Sequence, residues 1–150
     1  MTTDLRELYQ QTILDHHRKP RNFRALPDAT HTAKGYNPLC GDQIQLALRV
    51  EDGVVKDAAW EGTGCAISRA SASMMTGAVI GKSRSDVDHL FERVHAMLTA
   101  ESNGDAGREV GKLAVFAGVR EFPSRVKCAT LAWHTLDAAL HGAAEPVTTE

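Results

Sequence analysis

The chain has 150 residues, enough for one ordinary domain that buries its own core without disulfides or other staples. Seventeen Lys plus Arg against nineteen Asp plus Glu leave a net charge of -2, so no global basic field attracts a nucleic-acid backbone or an anionic membrane. The N-terminus lacks a basic segment followed by an apolar run, and no stretch approaches the ~18 continuous apolar residues of a membrane span; the expectation is a cytoplasmic protein with neither nucleic acid nor membrane as partner.

Leu5, Leu8, Tyr9 and Ile13 recur at helical spacing behind Thr3 and Asp4, which suit the positive end of a first helix that stops before Pro20. Asp28 to Pro38 is polar and loop-like, with Thr30 to Tyr36 offering a short edge strand. Ile44, Leu46, Leu48 and Val50 then alternate with Gln43, Gln45, Ala47 and Arg49, the period of a strand with one buried face. Asp52-Gly53 turns the chain, and Val54 to Gly62 returns as the second arm of a hairpin carrying Trp60. Ala66 to Ile80 reads as a helix of small side chains with Ile67, Ser71, Met74 and Ala78 on one face, ended by Gly81. Ser85-x-x-Asp88 resembles a capping box for a helix striped by Val87, Leu90, Phe91, Val94 and Leu98. Thr99 to Gly107 reads as a flexible loop and Glu109 to Ala117 as a short helical piece. Pro123 suits the first turn of a last helix with the stripe Val126, Ala129, Trp133, Leu136 and Leu140. Residues 1–142 are expected to form a single domain, and 143–150 a disordered tail.

Chemistry concentrates on the three cysteines. An odd number of thiols, none in Cys-x-x-Cys spacing, suits metal ligands or nucleophiles in a reducing cytosol better than a disulfide framework; three buried apolar cysteines remain the plain alternative. Cys65 follows Gly62-Thr63-Gly64 and opens a helix, where the dipole favours its thiolate while burial opposes it. Cys40 and Asp42 are two apart where the chain becomes extended, so their side chains point to the same side and can share one ion. Cys128 falls about 110° from the centre of the last helix's stripe, which places it on the flank rather than in the core. Three thiolates and one carboxylate make a set suited to tetrahedral zinc, although ligands from three separate segments leave the grouping open. Among the histidines, His16 and His17 read as capping or surface residues. His134 and His141 stand too far apart along one helix, at ~10 Å, to bind one ion easily. Met74, Met75 and Trp133 read as core or interface residues.

Leu8-Tyr9, Ile13 to His16, Lys19-Pro20-Arg21-Asn22, Asn37 to Asp42, Gly62 to Ser68, Ser71 to Met75 and Arg120 to Leu131 together resemble the SufU branch of the IscU/NifU-like iron-sulfur cluster assembly proteins. The resemblance covers nearly the whole chain. It implies an α+β fold, a small antiparallel sheet of about three strands packed against several helices, and a zinc site made by Cys40, Asp42, Cys65 and Cys128. The scaffold branch carries His immediately before the third cysteine, where this chain has Lys127, and its interval between the second and third cysteines is shorter; both departures favour the SufU branch.

What that branch implies is zinc-dependent sulfurtransferase activity: sulfur is accepted from a SufS-type cysteine desulfurase, a pyridoxal-phosphate enzyme, and passed to downstream Suf cluster assembly proteins. Cys40, on a Gly-flanked loop, is then the expected nucleophile and sulfur acceptor, and Arg125 a candidate for contacting the partner or Cys40, with a solvated surface arginine as its plain alternative. Two other readings stand beside this one. One is a scaffold for a [2Fe-2S] cluster, or iron, on the same ligands; the other is a structural zinc domain with an unrelated binding role.

Overall fold

A computed structural model describes residues 2–38, 41–99, 123–142 and 147–148, together with Leu113, Phe116 and Val119. The expected Thr99 to Gly107 loop, apart from Thr99 itself, which is helical, and most of the Glu109 to Ala117 piece lie outside these residues. Helix α1 spans Thr2–Arg18 and ends as the sequence requires, two residues before Pro20. Past its end the chain is pinned to a later helix: the Ser73 hydroxyl accepts the Arg21 N–H at 2.8 Å and shares a hydrogen bond with His16 Nδ1 at 2.6 Å. Asn22 Nδ2 donates to Thr76 Oγ1, and Trp60 Nε1 donates to the Arg21 carbonyl.

Strands β1 (His31–Asn37), β2 (Asp42–Glu51) and β3 (Val54–Thr63) form an antiparallel meander. The β2–β3 turn places Asp52 at φ 54° and Gly53 at φ 75°, the two left-handed residues that match the twist of a tight hairpin. Asp42, Ile44, Leu46 and Leu48 face the core while Gln43 and Gln45 face solvent, as the alternation predicts. The short strand offered at Thr30 to Tyr36 is present as His31–Asn37, held by hydrogen bonds from β2 although it has little apolar alternation of its own. The tail also differs from its reading: Val147–Thr148 form a short strand β4, parallel to β1 at Gly35 and Tyr36, giving the order β3-β2-β1-β4. On the opposite side, β3 bonds to the chain at both ends. Asn22 and Arg24 bracket Trp60, and Gly81 and Lys82 bracket Val55.

Helices α2 (Ala66–Val79), α3 (Arg84–Thr99) and α4 (Pro123–His141) complete the domain. The cap of α3 is Ser83 rather than Ser85, since the Ser83 hydroxyl accepts the Asp86 N–H at 3.1 Å. On α2 the best-buried residues include Ala72, Met75, Thr76 and Val79, not only the face read from the sequence, because the helix is packed between α1, α4 and β3. Its small residues permit that approach, and Ser71 Oγ donates to the Ala129 carbonyl of α4 at 2.6 Å. Helix α4 lies over β1 and β2, where the missing side chain of Gly35 admits Thr135 and Leu131. Leu46, Leu48, Met75, Trp133 and Leu136 form the centre of one core, to which Leu113, Phe116 and Val119 also belong. Burial of each such side chain is worth about 1.5–3 kcal/mol before the entropy of ordering it is subtracted.

Candidate metal centre

Asp42 begins β2 and is fully buried, an expensive position for a carboxylate unless donors surround it. Its Oδ1 accepts the backbone N–H of Cys65 at 2.9 Å, and its Oδ2 faces Asn37 Nδ2 at 3.5 Å. Gly64 makes this approach possible, since a Cβ there would fall 2.5 Å from Asp42 Oδ1. The neighbouring Cys65 caps α2 from an extended backbone, its sulfur accepting the Ser68 N–H at 3.4 Å. The Cys128 thiol beside it and the Ser68 and Ile67 amides draw the Cys65 thiol down to about 7, against burial and the Asp42 charge.

Cys128 enters from the first turns of α4. It is buried, not on a flank, because α4 is covered by the sheet, α2 and α3 together, so no single stripe marks its inner face. Asn37 Nδ2 reaches its sulfur at 3.7 Å. The donor atoms of Asp42, Cys65 and Cys128 thus lie within 4.8 Å of one another, with Cys65 Sγ and Asp42 Oδ2 separated by 3.9 Å. A tetrahedral zinc ion with the usual bond lengths spaces a sulfur and an oxygen ligand about 3.6 Å apart, so the two donors need shift by only a few tenths of an ångström. Two thiolates with one carboxylate fit zinc, and they would also accept iron.

The fourth expected ligand, Cys40, lies outside the described residues. Among its described neighbours, Gly41 N–H donates to the Asn37 carbonyl at 2.9 Å, and Gly41 is left-handed at φ 71°. Arg125 is exposed in the first turn of α4 and Lys127 is half-buried. His16 takes the structural role already described, while His17 is exposed. Asn37 had no assigned role in the sequence reading; the signal available was its place five residues before Asp42 in a turn-forming stretch.

Residues 8–129 match the family model described as the NifU-like N terminal domain. The chain is 42% identical over 139 residues to an iron-sulfur cluster assembly scaffold protein IscU of Thermotoga maritima, covering 93% of this chain and 96% of that one. It is 40% identical over 134 residues to the zinc-dependent sulfurtransferase SufU of Bacillus subtilis, covering 89% and 90%. Among solved structures, the N-terminal part of a nitrogen-fixing NifU-like protein from Brucella abortus superposes with a TM-score of 0.80 at 25% identity, over 89% of this chain and 92% of that one.

Proposed function

The chain belongs to the NifU-like N-terminal domain family as an IscU-like, SufU-type protein, and from that premise we propose that it is a zinc-dependent sulfur acceptor in iron-sulfur cluster assembly. The observation that carries this reading is the convergence of Asp42, Cys65 and Cys128, with Cys40 two residues before Asp42 in sequence. These four residues would hold the ion, which when bound keeps coordinated thiols deprotonated.

The transfer itself is thiol chemistry. The Cys40 thiolate attacks the outer sulfur of a cysteine persulfide on a SufS-type desulfurase; the new bond joins Cys40 to that sulfur, the partner's sulfur–sulfur bond breaks, and its cysteine leaves as a thiolate. Asp42, anchored by the Cys65 amide and Asn37, keeps the rest of the donor set in place while Cys40 moves on its Gly-flanked turn. Exposed Arg125 meets the partner, and Lys127 stands where a scaffold-branch protein has His. Downstream cluster assembly proteins receive the sulfur, in the reducing cytoplasm that free thiols need.

The names of the IscU relatives favour a second reading, a scaffold that builds a [2Fe-2S] cluster on the same ligands. Sulfide release from cysteine by a cognate desulfurase separates the two. Zinc-loaded wild type should stimulate it at least about tenfold, a gain equal to about 1.4 kcal/mol of barrier, and folded, zinc-loaded Cys40→Ala should not. No stimulation by zinc-loaded wild type would reject sulfur acceptance and leave the scaffold.

A further inference from the structure

A second set of donors converges on the seam between α3 and α4. Asp88 comes from α3, and Asp137 and His141 from successive turns of α4. His141 Nε2 lies 3.1 Å from Asp88 Oδ1 and 3.5 Å from Asp137 Oδ1, and the three donor atoms fall within 4.8 Å of one another. One ring nitrogen carries at most one N–H, so it cannot serve both carboxylates well, and two anionic oxygens are left aimed at a single nitrogen. A tetrahedral divalent ion with nitrogen and oxygen ligands at about 2.0–2.2 Å spaces those ligands about 3.4 Å apart. The two observed separations lie on either side of that value.

His141 is the last residue of α4, where the helix carbonyls carry partial negative charge. Arg84, one turn before Asp88, directs its guanidinium to the Leu140 carbonyl and offsets part of that field, so the two carboxylates are the main attraction for a cation. All three side chains are about half exposed, so an ion could enter without opening the fold and complete its shell with water. About 20 Å of helix separates His141 from Cys128, which makes the set independent of the thiolate centre.

We infer that Asp88, Asp137 and His141 form a second, solvent-open site for a first-row divalent cation such as Zn2+, which ties α3 to α4. Protein already carrying one equivalent of Zn2+ is titrated with more by calorimetry, while the His141 ring resonances are followed by NMR. Wild type should take up a second equivalent with a shift of the His141 signals, and Asp88→Asn, Asp137→Asn and His141→Gln should each lose it while retaining the first. The Asn variants preserve side-chain shape, and circular dichroism verifies the fold of all three, so any two that fold decide the matter. Uptake of only one equivalent by wild type, or a second one that survives in His141→Gln or leaves the His141 signals unmoved, overturns the site. If the thiolate centre takes no zinc, the His141 shift and its loss in Asp88→Asn still report on this site alone.

Discussion

Asn37 places one amide between Asp42 and Cys128, two groups that would otherwise confront each other with negative charge once the thiol ionises. Hydrogen bonds to charged groups contribute about 1.5–3 kcal/mol, and groups that orient metal ligands typically change metal affinity by about 10–100-fold. Asn37→Ala should therefore lower the thermal midpoint and weaken zinc binding at least about tenfold in competition with a chromogenic chelator. Unchanged affinity would reduce the amide to packing. The three cysteines drew attention because cysteine is rare and each has a distinctive local context, but their grouping with Asp42 came only with the family resemblance, since spacing across three segments left it open. Asn37 was not legible, because its role depends on pairing opposite Asp42 across a turn, and that pairing exists only once β1 is a strand. Gly64 makes room for the Asp42 carboxylate, a role that needs a residue more than twenty positions away and so leaves no local signal.

Helix α3 and strand β2 were readable because each has one covered face and thus a clean period, whereas β3, with Ala58, Ala59 and Trp60 all buried, was readable from the Asp52-Gly53 turn before it. Helix α4 defeated that method: from Cys128 to Leu140 nearly every residue is buried, so a stripe drawn through five of them put Cys128 on the wrong side. The seam between α3 and α4 was also invisible in sequence, because its contacts join residues some forty or more positions apart. Along it, His134 packs against Phe91 and His95, with ring centroids at 5.6 and 5.4 Å. Burial first and then His95 hold the His134 imidazole below its ordinary 6.5, while Asp137 pulls the other way. As pH falls below about 6.5 the unfolded chain takes up a proton that the folded seam resists, so this contribution is intact above that value and is lost below it. Urea midpoints measured at about pH 7.5 and about pH 5.5 should therefore fall less in metal-free His134→Phe than in metal-free wild type. Equal falls would show that the seam does not sense the proton.

At the scale of the molecule, the core and the thiolate centre are separable: Leu48, Met75, Trp133 and Leu136 pack together without help from any metal donor. A chelator should consequently lower the unfolding temperature but leave the far-ultraviolet spectrum and a cooperative transition, as expected of a domain this size with its own core. Collapse of the spectrum on chelation would identify the ion as a folding staple and favour the structural zinc reading. The hairpin and the helices were legible from turn residues and periodicity and the α+β architecture from the family resemblance, whereas β4 was not legible, since two residues carry no periodicity. That short strand has a consequence beyond the domain itself. With Val147–Thr148 along one margin of the sheet, and Asn22–Arg24 and Gly81–Lys82 along the other, both margins are occupied, and the interval on β3 carries Lys56 and Asp57. Backbone groups engaged in this way give a neighbouring molecule less template for edge-to-edge pairing at those positions.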